Sequence, residues 1–310
     1  VSLASLQAPA AVVMVRPLHF HPNPETAADN AFQSRACRQP PDETARLAYA
    51  EVSHAAARLE VAGVRVHLFD DDGARSTPDS VFPNNWFSTH AGGHVALYPM
   101  FAPNRRRERR SDIIEDLKST YRVQDVIDYS GLEHDGMFLE GTGAMVLDHV
   151  ARIAYTAQSN RANPVALERF CTHFNFEPMA FATADAQGQA CYHTNVMLCV
   201  GTDFALGGFY LIADTQRRVA VRERLRESGR ELIELDAQQI GDFAGNALEL
   251  SGRGGERLLA LSERACASLS AAQKAVIERS ATLLPLTVPT IELAGGSVRC
   301  MLAGIHLARR

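Results

Sequence analysis

Leu47-Ala48-Tyr49-Ala50-Glu51-Val52-Ser53-His54-Ala55-Ala56-Ala57-Arg58-Leu59, then Gly63, then Val64-Arg65-Val66-His67-Leu68-Phe69: this stretch is one helix followed by one strand. Leu47, Ala50, Val52, Ala55 and Leu59 recur at near-helical spacing and predict a helix over about 42–62. Gly63 stops it, because glycine enters the backbone conformations that end helices without steric cost. The apolar run after it reads as a buried strand.

The same unit recurs four times. A helix over about 105–120 leads into a strand from Val123 to Tyr129, and one starting near Pro164, a good first helical residue, leads into Phe176 to Phe181. A helix over about 215–228 ends at Gly229 before Glu231 to Leu235, and one over about 270–281 leads into Leu283 to Val288. The helices begin roughly 50–65 residues apart, with strand pairs and glycine turns between them. Trp86 to His90 is expected to turn at Gly92-Gly93 into Val95 to Tyr98, and Phe204 to Leu206 at Gly207-Gly208 into Tyr210 to Ile212. Five such units suggest a closed, pseudo-symmetric α/β array, although the period alone leaves an ordinary α+β domain open. No linker or low-complexity segment divides residues 1–310, so a single catalytic domain is expected.

Composition narrows the function classes. Of 310 residues, 46% are hydrophobic and 22% charged, which describes a globular protein. The net charge of -5 excludes general nucleic-acid binding, which needs a basic footprint. The one basic cluster, Arg105-Arg106-Arg107-Glu108-Arg109-Arg110, is expected to be a solvated first helical turn, with phosphate binding the alternative. No apolar run is long enough to span a membrane, and no basic region precedes the N-terminal apolar stretch as in a secretory signal. The six cysteines make no Cys-x-x-Cys pair and read as reduced thiols, so a cytoplasmic protein is expected.

Four segments concentrate polar residues beside turns: Phe82-Pro83-Asn84-Asn85-Trp86-Phe87, Phe138-Leu139-Glu140-Gly141-Thr142-Gly143, Cys191-Tyr192-His193-Thr194-Asn195-Val196, and Gly295-Gly296-Ser297-Val298-Arg299-Cys300-Met301. Singly, each has a plain explanation: a satisfied histidine, a hydrogen-bonded carboxylate, an asparagine turn, a packed thiol. Together, a thiol, an imidazole and a carboxylate in separate repeats supply the parts of activated-nucleophile catalysis. Cys300 is expected on a short strand reached through a glycine turn. His19 and His21, or His90 and His94, could begin a metal site, but no matched spacing supplies further ligands, so no metal and no organic cofactor are expected. A dinucleotide fingerprint and a Gly-x-Ser-x-Gly elbow are absent.

These segments resemble the guanidino-group modifying enzymes: arginine deiminase, dimethylarginine dimethylaminohydrolase and the amidinotransferases. The likeness is closest to the citrulline-utilisation hydrolase branch, through Pro83 to Trp86, Leu139 to Gly143, His193 to Val196 and Gly296 to Met301. The resemblance implies a pentein fold, a five-bladed α/β propeller of ββαβ units. It implies Cys300 as nucleophile, His193 as general acid and base, and Glu140 as the carboxylate orienting the imidazole. Arg161 matches an arginine that supports the site or a substrate carboxylate, and Arg299 is a family feature beside the nucleophile. Asn84 and Asn85 lie in the substrate-binding segment.

This chain departs from the guanidinium-processing relatives, which place aspartates where it has Asn85 and Asn195. A guanidinium offers only N–H donors and a fixed positive charge, which suits carboxylates. A neutral ureido group also carries a carbonyl acceptor, and asparagine offers both a donor and an acceptor. Losing two charge-assisted contacts weakens cation binding by a few kcal/mol. The expected activity is therefore Cys-dependent hydrolysis of a ureido group, citrulline first, giving ornithine, carbon dioxide and ammonia. The alternatives are a guanidinium hydrolase acting on arginine or a methylated arginine, clamped by Asp135, Glu133 or Asp70; an amidinotransferase; and a non-catalytic binding module of the same fold. The expected partner is a small amino acid, without nucleic acid or membrane, and a homo-oligomer remains open.

Overall fold

The computed structural model describes residues 6–33 and 40–310. Blade one contains strand β1 (Ala11–Pro17), helix α1 (Pro41–Val61) and strand β2 (Arg65–Asp71). Blade two contains β3 (Phe87–His90), β4 (His94–Leu97), α2 (Ser111–Thr120) and β5 (Asp125–Asp128). After a single turn, α3 (Gly141–Ala144), blade three has β6 (Met145–Asp148), β7 (Ile153–Ala157), α4 (Pro164–Phe174) and β8 (Glu177–Phe181). Blade four has β9 (Leu198–Val200), β10 (Phe204–Gly207), α5 (Thr215–Glu227) and β11 (Glu231–Glu234). A short α6 (Ala237–Gly241) precedes blade five, with β12 (Leu248–Ser251), β13 (Arg257–Ser262), α7 (Glu263–Ser268), α8 (Ala271–Glu278) and β14 (Thr282–Leu286). The turn α9 (Val298–Met301) and strand β15 (Ala303–Gly304) follow.

In each blade an antiparallel pair is extended by a parallel strand after the helix, as a right-handed crossover permits. Blade one takes its antiparallel strand from the far end of the chain: β15 pairs with β1 through Val12 opposite Gly304 and Val13 opposite Ala303. This gives the five-bladed α/β propeller that the resemblance implies, built from the five units that the period suggested.

Local chemistry explains the helices. α1 opens with proline at its first position and carries Asp42 and Glu43 in its first turn, where negative charge suits the helix dipole. Gly63 holds φ +92°, and a Cβ there would lie 2.4 Å from the Arg253 amide nitrogen, so only glycine ends α1 here. α4 is capped by Asn163, whose side chain accepts from the amides of Val165 and Ala166, and α8 by a capping box of Ser270 and Gln273. Strands β6 and β7 are buried throughout.

Three expectations fail locally. The second helix is broken: Pro103–Glu108 is a 3-10 turn, and α2 starts at Ser111 after extended residues Arg109 and Arg110. The hairpin expected between Phe204–Leu206 and Tyr210–Ile212 does not form. β10 pairs back to β9, and Phe209–Leu211 is a 3-10 turn. Cys300 lies on the helical turn α9, not on a strand. Among the described residues, no helix is long and apolar enough to cross a membrane.

Candidate active site

Each of four blades is entered through a polar turn just before its first strand. Pro83–Asn85 precedes β3, Glu140 and α3 precede β6, Thr194–Val196 precedes β9, and Gly245-Asn246 precede β12. The fifth such turn is α9, which precedes β15 of blade one. The propeller thereby assembles residues about 50–105 positions apart in the chain. Small residues let neighbouring turns interlock. A Cβ on Gly143 would lie 2.1 Å from Asn85 Oδ1 and 2.8 Å from His193 Nδ1; one on Gly245 would lie 2.7 Å from the Val196 carbonyl. Both positions must stay bare.

His193 and Glu140 are fully buried and joined by a 2.8 Å hydrogen bond between Nε2 and Oε2. With Nε2–H donating to the carboxylate, Nδ1 is left as the acceptor of a residue that lines a small cavity. Cys191 Sγ donates to the His193 carbonyl at 3.1 Å and helps fix its backbone. Cys300 Sγ accepts from Asn195 Nδ2 and Asn246 Nδ2, both at 3.3 Å. Asn246 also binds the Asn195 carbonyl and accepts from the Arg299 amide, so one side chain ties two turns to the thiol.

Two buried arginines bracket Glu140. Arg161 Nη1 lies 3.5 Å from Glu140 Oε2, and its Nε and Nη2 bind Asp29 at 3.0 and 2.5 Å. Arg105 Nη1 lies 3.6 Å from the same Glu140 oxygen. It is held bidentately by Glu108 and lies 3.6 Å from Asp79. With its amide oriented to match its neighbours, Asn85 accepts from both Arg105 Nη atoms at 3.1 and 3.0 Å and donates to Asn84. The basic cluster is therefore not a solvated turn: Arg105 is buried among the site's carboxylates, and Arg109 binds Glu133.

The electrostatics follow from this packing. Burial opposes charge on Glu140, but Arg161, His193 and Arg105 outweigh it and hold the carboxyl well below the usual range. Burial pushes His193 down to about 4, against Glu140 and with help from the two arginines. The resting imidazole is therefore neutral at pH 7 and able to accept a proton. Burial pushes Glu108 up to about 7 and raises Asp79, whose Oδ1 has no hydrogen-bond partner.

A small cavity joins these groups. Thr26, Asn30, Asp79, Asn85, Arg105, Arg161, His193 and Cys300 line it together with Phe82, Tyr192, Ala294 and Gly296. Its free space of about 10 Å³ holds roughly one water. A larger groove of about 650 Å³ shares Tyr192 but contains neither Cys300, His193 nor Glu140.

Of the sequence-derived candidates, Cys300, His193, Asn85 and Arg161 line this cavity, with Glu140 bonded to His193 and Asn195 on the thiol. Asn84 stands behind Asn85, its carbonyl accepting from Thr142 and its Nδ2 unpartnered. Arg299 does not join them; it lines a separate cavity because successive residues of α9 face different sides. The carboxylates expected for a guanidinium clamp are elsewhere. Glu133 pairs with Arg109, Asp70 with Arg16, and Asp135 is exposed. Asp79, Asp29, Arg105 and Asn246 were missed. Asn246 carried a signal, since it occupies in blade five the pre-strand position that Asn85 and Asn195 occupy in theirs. Among the described residues, no group of three or more His, Cys, Asp or Glu could hold a metal ion.

A family model described as N,N dimethylarginine dimethylhydrolase, eukaryotic, matches residues 16–307. A comparison with curated proteins finds no match. Among solved structures, the chain is similar to the substrate-bound N-terminal domain of ArgZ, an arginine dihydrolase of the ornithine-ammonia cycle in cyanobacteria. The TM-score is 0.71 and the identity 15%, over 95% of this chain and 97% of that one. It is also similar to unliganded AgrE, with TM-score 0.72 and 17% identity over 97% of this chain. It spans 40% of the longer AgrE and ArgZ chains. A third likeness is to a dimethylarginine dimethylaminohydrolase from Pseudomonas aeruginosa complexed with citrulline, with TM-score 0.61 and 13% identity over 98% of this chain and 100% of that one.

Proposed function

The chain belongs to the N,N-dimethylarginine dimethylhydrolase family, a pentein-fold group of guanidino-modifying hydrolases, and from that premise we propose that it hydrolyses the terminal ureido group of citrulline through a covalent bond to Cys300. The observation that carries this reading is the amide lining of the thiol. Asn195 and Asn246 both aim N–H groups at Sγ, while Asn195 Oδ1 is buried without a partner and free to accept from a substrate N–H. This neutral donor-and-acceptor surface matches a ureido group.

In the proposed reaction, His193 Nδ1 takes the Cys300 proton as sulfur attacks the ureido carbon. The protonated imidazole, held by Glu140, returns that proton to the departing ammonia, leaving a thiocarbamate on sulfur. Water then loses a proton to His193 and attacks the same carbon. The carbon–sulfur bond breaks, the thiol regains its proton, and the released carbamic acid falls to ornithine and carbon dioxide. One water enters and one ammonia leaves. Groups from all five blades contribute, so residues 1–310 act as one catalytic unit. The unpaired state of the five described cysteines suits the reducing cytoplasm.

Asp79 favours a second reading. Its unpartnered Oδ1 belongs to the cavity lining and offers a carboxylate to a guanidinium, as in arginine, the substrate class of the dihydrolases that the fold resembles. Release of ammonia and ornithine from citrulline, and of citrulline with ammonia or dimethylamine from arginine and Nω,Nω-dimethylarginine, separates the two. Turnover of citrulline, abolished in Cys300→Ser and kept within about tenfold in Asp79→Asn, is expected. Turnover of arginine alone, lost in Asp79→Asn, replaces the ureido reading with the guanidinium one.

A further inference from the structure

Among the described residues, the buried arginines are paired with carboxylates, with one exception. Arg105 has Glu108 and Asp79, Arg161 has Asp29 and Glu140, and Arg230 has Asp148. Arg299 is only 7% exposed, yet no carboxylate of the described residues comes within ion-pair reach of its guanidinium, and its Nε has no hydrogen-bond partner. The residues outside the description, Val1–Ser5 and Ser34–Gln39, contain no Asp or Glu that could supply one. A buried charge without a counter-charge is unfavourable, so the molecule carries a strong local demand for negative charge.

The surroundings increase that demand. Arg299 lines a cavity with His149 and His306, whose rings stack with centroids 3.8 Å apart, and His149 Nδ1 is also buried without a partner. The other polar groups of the lining are occupied. Gln7 donates to the Leu147 and Val200 carbonyls and accepts from the His149 amide; Thr89 joins Gly304 to the His306 amide; Thr142 binds the Asn84 carbonyl. Ser88 is shared between His90 and Tyr98. Two unsatisfied nitrogens thus belong to side chains of a cavity whose lining contains no carboxylate. The cavity measures about 30 Å³, room for one or two water-sized bodies.

The geometry points to a buried binding site for a small inorganic monoanion, chloride or bicarbonate, held between Arg299 and His149 on the side of α9 away from the Cys300 cavity. Arg299 Nε–H and His149 Nδ1–H would donate to the anion, and its charge would balance the guanidinium. The two anions share a single negative charge; bicarbonate would in addition be the hydrated form of the carbon dioxide released under the proposed function. The site itself does not depend on that function.

Thermal melts of the whole protein in sodium chloride, sodium bicarbonate and sodium gluconate, at constant ionic strength and pH, test the site, together with anomalous diffraction from crystals soaked in bromide. The melting temperature is expected to climb with chloride or bicarbonate relative to gluconate, and bromide to give a peak between Arg299 and His149. Arg299→Gln should remove the climb. Because that change sits beside the nucleophile, His149→Phe is the second variant: it keeps the guanidinium and should weaken the apparent anion affinity about tenfold, the loss of one charge-assisted donor. Equal melting in all three salts, or a bromide map without a peak there, overturns the proposal.

Discussion

A neutral imidazole enclosed by charged groups is the centre of the site's chemistry. His193 loses the stabilisation of water on burial, and Arg161 and Arg105 disfavour a further positive charge, so its pKa falls to about 4 although Glu140 pulls the other way. The free enzyme therefore holds its base ready at all pH values well above 4. The expected result is a profile of kcat/KM whose acid limb is centred near 4, more than two pH units below an ordinary imidazole. In Arg161→Gln one opposing charge is gone and the limb should move up in pH. A limb that stays near the ordinary imidazole value in the wild type would remove His193 as the base. The three residues of the proposed chemistry stand in motifs that the chain displays openly. Their charged surroundings do not. Asp79 lies in Thr77-Pro78-Asp79-Ser80, which reads as a turn, and Arg105 lies in an arginine run that resembles a solvated helix start. Only burial distinguishes Arg105 from Arg107, and burial is decided by blades far apart in sequence.

Helices and long strands leave a period in the chain; single turns do not. The five crossover helices and their following strands were legible from apolar spacing and from Gly63, Pro164 and Gly229. The four-residue α9 has too few residues to show a period, which is why Cys300 read as a strand residue. The Phe204 hairpin was misplaced for a related reason: Gly207-Gly208 resembles a hairpin turn, whereas β10 satisfies its ladder with β9 before the glycines are reached. Caps can be tested directly. Asn163 accepts from Val165 and Ala166 at 2.9 and 3.3 Å, and no residue of α4 lines the Cys300 cavity. Asn163→Ala should lower unfolding free energy by about 1 kcal/mol in urea melts while kcat stays unchanged. A loss of activity at full stability would mean that blade three transmits strain to the site.

Over the whole molecule, buried imidazoles set the response to acid. Burial lowers the pKa of His90 and His149 strongly and brings His193 and His306 to about 4. An unfolded chain binds protons on these rings from about pH 6.5 downward and the folded one does not, so stability rises with pH across this window and is lost as pH falls. Each ring contributes at most about 1.4 kcal/mol per pH unit. Glu108, raised to about 7, works the other way between about pH 7 and its unfolded value and cancels roughly one ring. Melting temperature should be nearly flat above pH 7 and fall by several degrees between pH 6.5 and 5. A flat curve across that range would show that the rings are hydrated in solution.

The pairing of β15 with β1 also orders events in time. A ribosome releases β1 well before the residues that complete its blade, so blades two to five can be standing while the protein has neither Cys300 nor its fastening strand. Only two residues, Met301 and Leu302, stand between Cys300 and the start of this strand at Ala303. A chain interrupted before them lacks the proposed nucleophile as well as the strand that closes the ring, so the two are acquired together.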